Sequence, residues 1–115
     1  MVNERVGAVL VVGDPAFDIH RARMADLVVH HRLLSMHTLN HSVEAGGLRS
    51  YGPNTSDIWR SAATCVNKIV KGPNPGDLPM EQRTKFDLVI NLKTAKALGI
   101  TIPQALRARA DEVLE

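Results

Sequence analysis

Five histidines crowd between positions 20 and 41: His20, His30, His31, His37 and His41. Imidazole nitrogens ligate zinc, and His37 and His41 stand four apart, the spacing that aligns two rings on one helical face. Thr38, Leu39 and Asn40 lie between them, so the glutamate of an H-E-x-x-H site is missing. The pair also straddles a predicted strand end, where a four-residue step does not align side chains. Solvated histidines are the better reading, and a histidine-rich metal module ranks third among functions. His30 and His31 fall at a predicted helix C-terminus, where a protonated ring favours the macrodipole. Cys65 is the single thiol. It lies in an apolar helical stripe with no histidine near it, which reads as a buried structural cysteine. No G-x-S-x-G, P-loop or G-x-G-x-x-G occurs. The residues argue for no catalysis and imply no cofactor.

The elements that must hold these residues form one domain, since 115 residues and 12.6 kDa are too few for two. Apolar residues at 44% permit a core, and fourteen basic against twelve acidic residues leave a formal charge of only +2. Four aromatics, Phe17, Tyr51, Trp59 and Phe86, provide no stacking platform for single strands, and the basic residues form no run. Nucleic acid is therefore not an expected partner. Glu4 and Arg5 precede an apolar run, Val6 to Val12, that is too short to span a membrane. No A-x-A-like cleavage site follows, so the chain as written carries no export signal.

Val6 to Val12 reads as a strand buried on both faces, as in a parallel sheet. A helix follows from about Asp18 to His31, with Asp14 and Asp18 both placed to cap it. Leu33 to His37 completes a βαβ unit. Asn40 to Ala45 is one helical turn, stopped by Gly46-Gly47. Leu48 to Tyr51 is a third extended piece, closed by Gly52-Pro53. The clearest helix runs from Asn54 or Thr55 to Lys71, with Ile58, Ala62, Cys65, Val66, Ile69 and Val70 at three- and four-residue steps. Gly72 ends it, and residues 72–79 are a proline- and glycine-rich connector. Phe86 to Leu92 is another strand. Asn91 caps a short helix, Lys93 to Leu98, and Gly99 closes it. Thr101 and Gln104 have capping-box spacing ahead of a last helix, Pro103 to Leu114. The order predicts an α/β fold: a mostly parallel sheet with flanking helices.

The stretch from Glu44 to Asn54, with Gly46-Gly47-Leu48 and Ser50-Tyr51-Gly52-Pro53, resembles a segment of bacterial ABC-transporter substrate-binding proteins. The similar members are tryptophan- or phenylalanine-type receptors with a type I periplasmic-binding fold. Lys68 to Gly72, Asp77-Leu78-Pro79, Glu81-Gln82 and Thr84 to Pro103 are similar to the family's C-terminal signature, and Arg107 to Val113 to its usual ending. The likeness runs through essentially the whole chain, yet covers only about the C-terminal third of a member. It implies an incomplete part of a two-lobed, Rossmann-like fold that encloses a small ligand between its lobes. Residues 1–47 would be a second-lobe βαβ, 48–84 a crossing segment, and 85–115 the C-terminal strand and helices. His37 and Thr38 replace an aromatic-glycine pair, Arg83 a proline, and Cys65 an aromatic.

Ligands of open α/β sheets sit beyond the carboxyl ends of strands. That rule places Asp14, Ala16 and Phe17 after the first strand, His37, Thr38 and Asn40 after the second, and Tyr51 and Gly52 at the implied hinge. An amino-acid-like solute needs an anion for its ammonium, donors for its carboxylate and an apolar wall. Asp14 suits the first, backbone N–H groups near Asn40 the second, and Phe17 or Tyr51 the third. The simpler reading of Asp14 is a helix N-cap, and that of the two aromatics is packing.

The resemblance implies a non-catalytic solute receptor that docks on an ABC permease and works in the periplasm, no signal being present in the chain as written. The alternative is a truncated remnant that folds as an α/β module without a ligand. The stripe of the Trp59 helix is too apolar to leave in water, at ~1.5–3 kcal/mol per side chain. It is expected to fold onto this chain's own sheet or to pair with a second copy, so self-association is a further expectation.

Overall fold

In a computed structural model, residues 6–115 are described, so Glu4 and Arg5 lie outside the described residues. A single five-stranded sheet has the order β1-β2-β3-β4-β5. Its strands are β1 (Ala8–Val11), β2 (Leu34–His37), β3 (Arg49–Pro53), β4 (Phe86–Asn91) and β5 (Glu112–Leu114). All neighbours are parallel except β3 and β4, which run antiparallel with Tyr51 opposite Leu88. The helices are α1 (Pro15–Ile19), α2 (Arg21–His30), α3 (Asn40–Glu44), α4 (Thr55–Val70), α5 (Leu92–Ala97) and α6 (Gln104–Arg109). The mostly parallel α/β architecture is as the sequence predicts.

Local chemistry explains most boundaries. Asp14 accepts from the Ala16 N–H at 2.8 Å and so starts α1 at Pro15, three residues ahead of the predicted helix start. The predicted helix 18–31 is in fact two, broken at His20, where φ −101° and ψ 17° leave the helical region. Near the break the Asp18 carbonyl accepts from Arg21 Nη1 at 3.0 Å. Asn54 caps α4 through the N–H groups of Ser56 and Asp57, and Asn91 caps α5 through Thr94 N–H. Gly46 and Gly72 close α3 and α4 with φ of +115° and +123°, which favour glycine.

Buried residues lie on both faces of the sheet, since Val89 and Ile90 are successive on β4 and point to opposite sides. Val43, Leu48, Val89, Ile90 and Ala95 gather where α3 and α5 meet β3 and β4, with Ala25 and Val28 of α2 beside them. Several buried polar groups are paired between these elements. Asn91 Nδ2 donates to the Val43 carbonyl at 3.1 Å, Thr94 Oγ1 to the Gly46 carbonyl at 2.9 Å, and Leu48 N–H to Ser35 Oγ at 3.0 Å.

Four expectations are corrected. β1 is an edge strand buried only at Val11, with Leu10 63% exposed, because no described element packs on its second face. The last helix stops at Arg109, and Glu112–Leu114 joins the sheet beside β4 instead. Asp111 makes the switch: its N–H donates to the Leu88 carbonyl at 2.9 Å and its Oδ2 accepts from Leu88 N–H at 2.8 Å. No Thr101 capping box forms, since Pro103 is the cap residue and makes no side-chain bond. Finally, α4 does not fold onto the sheet: none of its residues is buried, and Cys65 is half-exposed. The radius of gyration is 17.5 Å, against about 13 Å for a compact chain of this length.

Candidate functional site

The carboxyl ends of β1 and β2 open into a cleft shared with α1, α2 and α3. Asp14, Phe17 and Thr38 line it together, joined by Asp18, Arg21 and Ser42. Gly52 reaches the same corner from β3: a Cβ there would overlap the Thr38 carbonyl, so only glycine lets β3 end against β2. Asn40 sits one turn away, its Oδ1 accepting from Ser50 Oγ at 2.9 Å, which fixes the start of α3 beside β3. Ala16 follows Asp14 in the first turn of α1, where its N–H is committed to the cap.

Tyr51 goes elsewhere. Strand alternation turns it to the opposite face from Ser50 and Gly52, where its ring stacks on Phe86 at 5.6 Å between centroids. It is half-exposed there and does not line the cleft.

Two histidines acquire partners or surroundings that spacing did not reveal. His41 Nε2 lies 2.5 Å from Asp18 Oδ1, tying α3 to α1 across the cleft. His37 is only 3% exposed, and both of its ring nitrogens are buried without a hydrogen-bond partner. Burial lowers its pKa below the ordinary 6.5, which favours the neutral ring. Gly47 makes room for that ring, since a Cβ there would stand 2.6 Å from His37 Nε2. The period-two pattern of Ser35 and His37, both inward on β2, is the signal that marks this histidine as buried. Among the described residues no three His, Cys, Asp or Glu side chains converge as metal ligands.

The cleft encloses about 10 Å³, the room of one water. Its lining offers a carboxylate, a hydroxyl, an exposed Phe17 ring and a helix start. Such a lining can orient a small polar solute, and its enclosure needs a second wall. In open α/β sheets ligands bind beyond the carboxyl ends of the strands, which is where these side chains gather.

A family model described as "ABC transporter substrate binding protein" matches residues 35–114. The chain belongs to that family. No curated protein matches it. A conserved domain protein from Vibrio cholerae O1 biovar El Tor is 28% identical, with a TM-score of 0.89 over 97% of this chain and 38% of that one. The ABC domain from Streptococcus pneumoniae in complex with L-Trp is 26% identical, with a TM-score of 0.88 over 96% of this chain and 38% of that one. The ligand-free, open structure of CD0873 from Clostridium difficile, a substrate binding protein with adhesive properties, shares the fold at 20% identity and a TM-score of 0.66, over 98% and 39% of the two chains. The chain thus spans less than two-fifths of the length of these structures. No helix among the described residues is long and apolar enough to cross a membrane.

Proposed function

We propose that this chain supplies one wall of a receptor for an amino-acid-like solute in an ABC transport system. The observation that carries the reading is the family match over residues 35–114, together with a structural relative that holds L-Trp. The cleft geometry supports it. In this reading Asp14 meets the solute ammonium, Thr38 and the backbone near Asn40 its carboxylate, and Phe17 its apolar part; Asp14, Thr38 and Phe17 line the cleft together. Gly52 sets the hinge corner, and Tyr51 belongs to the hinge's outer face.

The role is binding and release with no covalent chemistry. The lobes of a complete receptor close on the solute, and the closed form is what an ABC permease recognises, on the periplasmic side. A thermal melt against a panel of amino acids tests the assignment. A ligand at 100 times its Kd stabilises by about 2.7 kcal/mol and raises the midpoint by several degrees. A shift with L-tryptophan or another aromatic amino acid supports the reading. A melt that no member of the panel moves favours a module without a specific ligand.

A further inference from the structure

His37 lines the cleft beside Asp14 and keeps both ring nitrogens buried without a hydrogen-bond partner. This chain's own residues already bury it to 3% exposure, so only a group small enough to enter the cleft can reach the ring. The enclosed room of about 10 Å³ fits a water or a group of the same size. A primary ammonium is such a group.

Charge decides which small group belongs there. The charged side chains of the cleft are Asp14, Asp18 and Arg21. From α3 comes His41, whose Nε2 is held by Asp18, while Glu44 is exposed. β1 carries no titratable residue, and β3 sets the uncharged Ser50 in register with His37. Arg21 also turns to Asp18, its Nη1 standing 3.8 Å from Oδ1 and 3.0 Å from the carbonyl. Among the described residues Asp14 therefore pairs with no cation. Its Oδ1 accepts from Ala16 N–H, which leaves Oδ2 for a ligand. An anion would meet that uncompensated carboxylate. A metal ion would lack ligands, since no three metal-ligating side chains converge among the described residues.

We propose that this room takes a primary ammonium group, shared between Asp14 Oδ2 and the unprotonated nitrogen of a neutral His37. The inference rests on the receptor reading for its solute and adds a second acceptor for that solute's ammonium. Burial favours the neutral ring, and a neutral imidazole has one nitrogen that accepts. A protonated ring has no acceptor and repels the ammonium. Capture therefore holds while His37 is neutral and weakens as pH falls through its folded pKa, which lies below 6.5.

Methylammonium, the charged group almost alone, is the probe. Titrated into the ¹⁵N-labelled chain at pH 7.5, it should move a His37 ring nitrogen and the Asp14 amide together. Their common midpoint should be on the order of 10 mM, near the limit for a ligand of two non-hydrogen atoms. Tetramethylammonium carries the same charge without an N–H and is too large for the room, so it should move neither. His37→Phe removes the nitrogens and should weaken the Asp14 response at least tenfold. His37→Gln keeps an acceptor that does not titrate. It should retain the response and lose its pH dependence, which tests the site even if the phenylalanine variant fails to fold. Methylammonium that moves His37 while no amino acid does supports the site and overturns the amino-acid reading. An amino acid that binds with the His37 nitrogens unmoved overturns the inference and leaves that reading standing. A ring that methylammonium does not move, or that tetramethylammonium moves equally, also overturns it.

Discussion

Gly52 of β3 lies directly against the backbone carbonyl of Thr38, the residue that follows β2 and lines the cleft. One glycine thus joins the end of β3 to the candidate binding wall. Adding a methyl group forces the two strand ends apart, an overpacking that costs about 1–3 kcal/mol. Gly52→Ala should lower the urea midpoint accordingly, and should also perturb the Thr38 amide resonance. An unchanged midpoint would show that β3 and β2 part easily at this corner.

Capping and ligand binding by Asp14 separate cleanly. Asp14→Ser keeps a side-chain acceptor for the Ala16 N–H, so stability should change by less than about 0.5 kcal/mol. The carboxylate is gone, however, so any stabilisation by an amino acid should fall at least tenfold in apparent affinity. Asp14→Ala should lose both, with about 1 kcal/mol of stability. Retained ligand response in the serine variant would assign the ammonium to another group.

Acid should weaken this fold through His37. Its folded pKa lies below the unfolded value of 6.5, because burial penalises the charged ring. The contribution is therefore fully present above about pH 6.5 and is lost as pH falls below it, with a slope of at most about 1.4 kcal/mol per pH unit. Denaturation at pH 7.5, 6.5 and 5.5 should show the loss, and His37→Gln should reduce it. Equal slopes in the two proteins would mean that His37 reaches solvent before it titrates.

Asn91 works on two elements at once. It caps α5 through Thr94 N–H and donates to the Val43 carbonyl inside the core. Asn91→Ala removes both bonds and leaves buried groups unpaired, so it should cost about 2–4 kcal/mol. Asn91→Asp retains the cap acceptor and should recover only part of that loss in a denaturation curve.

Caps of this kind were the most legible part of the chain. Asn91, Gly46, Gly72 and Gly99 announce helix ends by side-chain type alone, and each acts where its type predicts. The strand-end rule likewise brought Asp14, Phe17 and Thr38 to one cleft. What escaped depends on contacts far apart in the chain. Val113 and Leu114 fit a helical pattern, and only the bonds of Asp111 to Leu88 draw them into the sheet. The residues of β1 are as apolar as those of a central strand, but burial depends on what packs against them. Tyr51 was assigned by position after a strand, whereas the pleat decides which face a ring occupies.

The most direct test of the binding wall is an NMR titration of the ¹⁵N-labelled chain with L-tryptophan. The account predicts saturable shifts confined to Gly13, Asp14, Phe17, Thr38 and Asn40, abolished by Asp14→Ser. Shifts that are absent up to millimolar ligand, or that centre on the outer sheet face around Leu10 and Leu34, would contradict it.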